Sequence, residues 1–328
     1  MTPARPKVGS VRIGGAEVAR TPLLLPSYSS RALNPDVRRQ GVTRNSAERT
    51  LKLLVGPVLI SAYDFDAGAF RSVGSVDGSL IGSRLTFIDS GGYENLVDPD
   101  PTWTRERHAA ALAAWPAATP AVMVGYDTPA CDVAEQIASA ASILPGRSVG
   151  RELLLKPVPG AGREDRGGIV DLIEQLGRNG PALRGVDVLG LTEKEAGSTL
   201  AERVRTVLML RRVLDRLGSE LPVHLFGGLD PALTPLFFLA GADVFDGLSW
   251  LRYAFVGGEA VYMQPTAAWR YPDLDLEEAS WRVRGRNFSE LTRMQTAMQR
   301  YIRAGDPASL HPHGEALLER LAGWTASG

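Results

Sequence analysis

The sequence predicts an α/β chain of the (β/α)8 (TIM) barrel class, with an N-terminal extension and a C-terminal helical tail. Three observations carry that expectation. Short apolar runs recur eight times, helical patterns lie between them, and a polar or charged residue ends almost every run. Short continuous apolar runs alternating with helices indicate a parallel sheet covered on both faces. Eight such units, typically occupying roughly 250 residues, fit within a chain of 328.

In order, the runs are PLLLPS at 22–27, GPVLISAYD at 56–64, RLTFIDS at 84–90, AVMVGYD at 121–127, RELLLKPV at 151–158, GVDVLGL at 185–191, PVHLFGG at 222–228 and ADVFDG at 242–247. Between them the helices carry recognisable ends. Asp230 and Pro231 open PALTPLFFLAG as N-cap and first-turn proline, and Gly241 closes it. Residues 192–218 read as one or two amphipathic helices ending at Gly218. Further on, Asn287 with Glu290 resembles a capping box. Phe288, Leu291, Met294, Met298, Tyr301 and Ile302 then share one helical face, a core-packing stripe. PGAGREDRGG at 159–168 reads as a flexible, charged βα loop. No linker or internal repeat interrupts the pattern, so residues 1–328 are expected to form one domain. The barrel would span about 20–260 and the helical tail about 275–328.

Composition narrows the function classes. With 44% hydrophobic and 22% charged residues the chain is that of a globular protein. A net charge of −1 supplies no global basic field, so a polyanion would have to be held by a local patch. Arginine greatly outnumbers lysine, which suits phosphate contacts but follows equally from genome base composition. The single cysteine, Cys131, excludes an intrachain disulfide and a multi-cysteine zinc site, and is expected as a small buried side chain on a helix. No metal site is expected. The first fifteen residues lack the apolar core of a signal peptide and no apolar run is long enough to span a bilayer, so a cytoplasmic protein is expected.

A barrel of this class carries its active-site groups at the C-terminal ends of the strands. Asp64, Asp89, Asp127, Lys156, Thr192 with Glu193, Gly227–Gly228 and Asp246 each follow an apolar run. Caps and turns also favour Asp after a strand, so any one of these is uninformative alone. Four acids converging on one face would raise each other's pKa, as acid–base chemistry needs. His224, inside a strand, reads as a satisfied core residue.

With these residues in place, the chain resembles the tRNA-guanine transglycosylases. TFIDSGGYE at 86–94 is similar to that family's DSGG(F/Y)Q segment, and GADVFDGLSWLRYA at 241–254 to its block around MFDC and P-T-R. HLFGGLDP at 224–231 resembles the family's LMG-x-G-x-P turn, and DVLGLTEKE at 187–195 its GGLAVGE strand end. TPLLLPSYSS and ISAYD fit its opening strands. The match runs in the correct order over most of the chain.

The resemblance implies base exchange at a nucleotide through a covalent aspartyl intermediate, with no cofactor. Asp246 matches the nucleophile that attacks C1′ of the target guanosine. A carboxylate suits that task because an anion both stabilises an oxocarbenium-like transition state and bonds to it. Asp89 matches the residue that handles protons on the departing and incoming bases. Asp127 matches the acid that reads the base's amidine edge, where a carboxylate takes two hydrogen bonds. By the same resemblance, Tyr93 and Phe226 would cover the two faces of the flipped base. Gly190 and Leu191 would supply backbone donors to its carbonyl. Ser90, Gly91 and Gly227 would line the pocket, with Gly91 and Gly92 permitting a tight turn and a close approach. Arg252 matches the arginine of the P-T-R element, where a phosphate contact is expected.

Three departures alter the expectation. The family's zinc site, three cysteines and a histidine, is missing. The glutamine of its GIVQGG strand is replaced within LLLKPVPG, where Lys156 or a neighbour takes its region. The DSGG segment ends in Glu94, and the P-T before Arg252 is lost. No RNA-binding appendage is expected, but Arg282, Arg284, Arg286, Arg293, Arg300 and Arg303 either form a backbone-binding face or are the solvated side of the last helix. These departures resemble the branch of the superfamily that inserts 7-deazaguanines such as preQ0 into DNA. DNA is therefore the favoured nucleic-acid partner, with tRNA or a small nucleotide or sugar-phosphate acceptor as alternatives and partner proteins of a modification system possible. A barrel that binds a modified base or a partner protein without catalysis is the reading from another class; the joint presence of Asp89, Asp127 and Asp246 argues against it.

Overall fold

A computed structural model describes residues 6–32, 49–50, 53, 56–70, 85–116, 120–130 and 132–326. The chain enters through an antiparallel hairpin, β1 (Ser10–Ile13) and β2 (Ala16–Arg20). Eight parallel strands follow: β3 (Leu23–Tyr28), β4 (Val58–Ser61), β5 (Thr86–Asp89), β6 (Ala121–Val124), β7 (Gly150–Leu155), β8 (Val188–Thr192), β9 (Val223–Phe226) and β10 (Val244–Gly247). They pair in that order, and β10 closes on β3 to complete the barrel. Each of the eight apolar runs supplies one strand. A second hairpin, β11 (Tyr253–Val256) and β12 (Glu259–Tyr262), follows the barrel.

Two apolar layers explain the closure. Alternate strand residues, among them Leu23, Leu25, Leu59, Phe87, Val122, Val188 and Val244, fill the barrel interior. Their neighbours along the strands pack outward against the helices in a second, larger cluster. Within the interior, Val11 and Ile13 of the first hairpin join the residues at the N-terminal ends of the strands, so the hairpin plugs that end. A Cβ on Gly150 would lie 2.9 Å from Val122 and 3.3 Å from Ile13, which is how closely the plug is seated. This segment is more than an extension: Gly14 and Gly15, both at positive φ, form a hairpin turn between two short strands.

The described helices are α1 (Ala62–Asp66), α2 (Gly92–Val97), α3 (Arg105–Ala113), α4 (Val133–Ala141), α5 (Ile169–Arg178), α6 (Leu200–Arg216), α7 (Thr234–Leu239), α8 (Ser249–Arg252), α9 (Met263–Arg270), α10 (Leu276–Ala304) and α11 (Gly314–Ala326). The 192–218 segment holds one α-helix, α6, started by a reciprocal capping box between Thr199 and Glu202. Asp230 caps a turn ahead of α7 by accepting from the N–H groups of Ala232 and Leu233; the helix itself begins later, at Thr234.

Asn287 is not a cap. It lies in the middle of α10, whose N-cap is Asp275, and its carboxamide accepts from Phe255 N (2.8 Å) and donates to Trp250 O (2.7 Å) and Tyr253 O (2.6 Å). The stripe beyond it does pack: Leu291, Met298 and Tyr301 are buried, with Phe288, Met294 and Ile302 against the same cluster. The 159–168 loop does connect β7 to α5, but it is laced internally by Val158 N to Gly167 O, Ala161 N to Val158 O and Gly168 N to Asp165 O. Cys131 lies outside the described residues. No helix among the described residues is long and apolar enough to cross a membrane.

Candidate active site

Asp246 stands two residues after Val244 on β10 and therefore points the same way, into the barrel, at the mouth. Its side chain is nearly buried, and donors converge on it. Ser27 Oγ, from the end of β3, donates to Oδ2 at 2.8 Å, and Gly227 N donates to Oδ1 at 2.9 Å. Gly227 has φ 75°, a left-handed conformation that turns its N–H toward the carboxylate. Ser27 also accepts from Gly247 N, which ties the strand end to the same hydroxyl.

His224 is fully buried, as a core residue would be, and its ring nitrogens face Glu152 and Asp246. Nδ1 lies 2.8 Å from Glu152 Oε1, and Nε2 lies 3.4 Å from Asp246 Oδ1, long for a hydrogen bond but within ion-pair reach. Burial pushes the imidazole pKa down, yet Glu152 and Asp246 together outweigh it and raise the pKa to about 9. The ring stacks on Phe226 at 3.9 Å between centroids and meets the Phe87 ring edge-on at 5.6 Å. Sequence reasoning overlooked Glu152 altogether. The available signal was two polar residues, Glu152 and His224, inside apolar strand runs, where each needs a partner.

Asp89 closes β5, two residues after inward-facing Phe87. Burial, then the carboxylates of Asp127, Glu94 and Asp246, push its pKa well above the usual range. The turn that follows is built by glycine. Gly91 has φ 83°, and a Cβ there would meet Tyr63 Cβ at 2.8 Å; a Cβ on Gly92 would sit 2.3 Å from Asp127 Oδ2. Ser90 Oγ accepts from Gly92 N, and Ser90 O accepts from the Trp103 indole.

Asp127 follows β6 and shares Lys156 with Glu195: Lys156 Nζ is 3.5 Å from Asp127 Oδ2 and 2.9 Å from Glu195 Oε1. Thr192, at the end of β8, donates to Glu195 Oε2 at 2.6 Å. Gln136 on α4 grips the Lys156 backbone through both its N–H and its carbonyl. Asp127 Oδ1 is buried and has no hydrogen-bond partner among the described residues.

The remaining expected residues divide. Tyr93 stands at the rim, where its hydroxyl accepts from Arg252 Nη2 at 2.6 Å. Gly190 and Leu191 lie within β8, in register with both neighbouring strands, Gly190 facing the Phe226 ring and Leu191 packed in the outer core. Gly228 folds back on Leu225. Glu193 is turned to Arg203 and Asp64 to Glu94. Burial and Glu94 raise the Asp64 pKa to about 7, against a hydrogen bond from Ser30 N. Arg284, expected among the exposed arginines, instead stacks on Trp281 and donates to Leu251 O.

No protein-family model matches this chain, and no curated protein matches its sequence. Among the described residues no group of three His, Cys, Asp or Glu side chains is arranged to hold a metal ion. The chemistry available at the mouth is that of carboxylates in unlike settings: Asp246 gripped by donors, half-buried Asp89 among other acids, Asp127 paired with a cation.

Proposed function

We propose that the protein is a nucleobase-exchanging transglycosylase that replaces guanine with a 7-deazaguanine of the preQ0 type in a nucleic acid, DNA being the favoured acceptor. The observation that carries this reading is the pairing of a donor-gripped carboxylate, Asp246, with a second carboxyl, Asp89, whose pKa is raised by burial and by neighbouring acids, at the mouth of the same barrel. Displacement at an anomeric carbon uses two carboxyls in environments that set their roles apart.

In this reading an Asp246 oxygen attacks C1′, the C1′–N bond breaks, and its electron pair leaves with the guanine, to which Asp89 gives a proton. The incoming base returns a ring N–H proton to Asp89, its nitrogen attacks C1′, and Asp246 departs as the carboxylate. Asp127 accepts from the base's amidine edge. Lys156 offers only donors, so the base edge facing it must present an acceptor. Phe226 and Tyr93 flank the base, which must leave the stack at a cost of about a few kcal/mol. Arg252 at the rim, and exposed Arg286, Arg300 and Arg303 on α10, support a polyanionic acceptor.

The test is incorporation of radiolabelled guanine and preQ0 into duplex DNA, single-stranded DNA and bulk tRNA in parallel. Label in DNA is expected. Label in tRNA alone would move the acceptor to RNA, and label in none of the three would remove nucleic-acid base exchange. Asp246→Asn is expected to lower exchange on the order of 10⁴-fold or more; full activity in that variant would overturn the nucleophile assignment.

A further inference from the structure

Four consecutive strands carry a line of polar groups through the barrel interior. Glu152 comes from β7, His224 from β9 and Asp246 from β10, and on β8 between them stands Gly190. A Cβ at Gly190 would lie 2.8 Å from Glu152 Oε1 and 2.6 Å from the Phe226 ring. The missing side chain is what lets Glu152 reach across β8 to His224.

Both ring nitrogens of His224 face carboxylate oxygens, at 2.8 Å and 3.4 Å. A neutral imidazole has one N–H, so with both carboxyls ionised one of these contacts would set a lone pair against an anion; burial raises the Glu152 pKa, and the charge on His224 works against that rise. Only the imidazolium donates from both nitrogens. The ring is fully buried, with Phe226 stacked on it and Phe87 meeting it edge-on.

We propose that Glu152 and His224 form a buried positioning relay for Asp246: Glu152 holds Nδ1–H, Nε2 faces Asp246 Oδ1 at ion-pair distance, and Oδ2, held among the described residues only by the Ser27 hydroxyl, is the attacking oxygen. Oδ1 is engaged by Gly227 N and His224, whereas Oδ2 has Ser27. The 3.4 Å contact is of the kind that tightens when a site is loaded. Glu152 has a distinct task. When Asp246 becomes an ester it loses its charge, and the imidazolium then keeps Glu152 as counter-ion and is not stranded in the core. The catalytic half of this inference rests on the base-exchange reading; the charged, clamped histidine does not.

The experiment is nitrogen-detected NMR of the histidine rings of the intact chain from about pH 5 to about pH 10. Four histidines keep the spectrum simple, and His224→Gln identifies the signal. His224 is expected to stay protonated on both nitrogens until about pH 9, and Glu152→Gln is expected to bring its titration down to neutrality or below. A single neutral tautomer at pH 7 in the unaltered protein overturns the proposal even if a variant fails to fold, and so does a titration that Glu152→Gln leaves in place.

In exchange assays, Glu152→Gln and His224→Gln are each expected to lower kcat about 10–100-fold, the usual range for partners one shell out, with KM for the base unchanged. Unchanged kcat in both variants overturns the positioning role. The expected NMR signature with no exchange by the unaltered protein sustains the ionic relay and overturns the functional reading.

Discussion

Asp64 and Asp89 look alike in the sequence, each an acid closing an apolar run, and the structure gives them different neighbours. Both lie near Glu94, but Asp89 also faces Asp127 and Asp246, whereas Asp64 is buried with Ser30 N donating to it. The Asp64 pKa rises from 3.8 to about 7. Folded protein therefore holds a proton there that the unfolded chain releases near pH 4, and the pair's contribution to stability is full below that pH and lost as pH rises through about 7. Asp64→Asn keeps an acceptor for Ser30 N and no charge to bury. It is expected to flatten the fall in Tm between about pH 5 and about pH 8, an effect of about a few kcal/mol at most. An identical slope in variant and parent would remove Asp64 as its source. The Asp89 pKa is raised too, so its contribution to stability likewise falls as pH rises.

Capping boxes mark the limit of what elements reveal about themselves. The pattern of a capping residue followed three positions later by Glu occurs, among other places, at Thr199, Asp275 and Asn287. At the first two the side chain does accept from the backbone N–H three residues on. At Asn287 the apolar period continues on both sides, through Val283 and Leu291, and no breaker stops the helix. The carboxamide is spent instead on three backbone groups of α8 and β11, two of them in buried bonds, to Phe255 N and Trp250 O. Asn287→Ala is expected to destabilise the fold by about 3 kcal/mol, each orphaned group costing about 1 kcal/mol or more. Chemical denaturation measures it, and a loss under about 1 kcal/mol would mean that water re-pairs those groups.

Across the whole molecule, the two ends of the barrel divide the labour. The β1–β2 hairpin seals the N-terminal end with Val11 and Ile13, and the charged groups gather at the other end. Stability and chemistry should therefore separate. Ile13→Ala is expected to cost about 2–4 kcal/mol, the range for a large buried aliphatic cut to alanine. Base exchange per folded molecule is expected to stay unchanged, read as label incorporated below the onset of unfolding. A matching loss of exchange would show that the plug shapes the mouth.

The strands, the ends of the strands and the acids standing there were all readable from the chain alone, because apolar runs, periodicity and turn residues are local properties of neighbouring residues. Which of those groups meet was not. Ser27 and Asp246 are 219 positions apart, and Glu152 and His224 are 72 apart. They are joined only because β10 closes on β3 and because Gly190 leaves a gap across β8. Barrel closure and strand register bring such residues together, and neither is encoded within any one segment; that is why His224 reads as core in one dimension and as a neighbour of Asp246 in three.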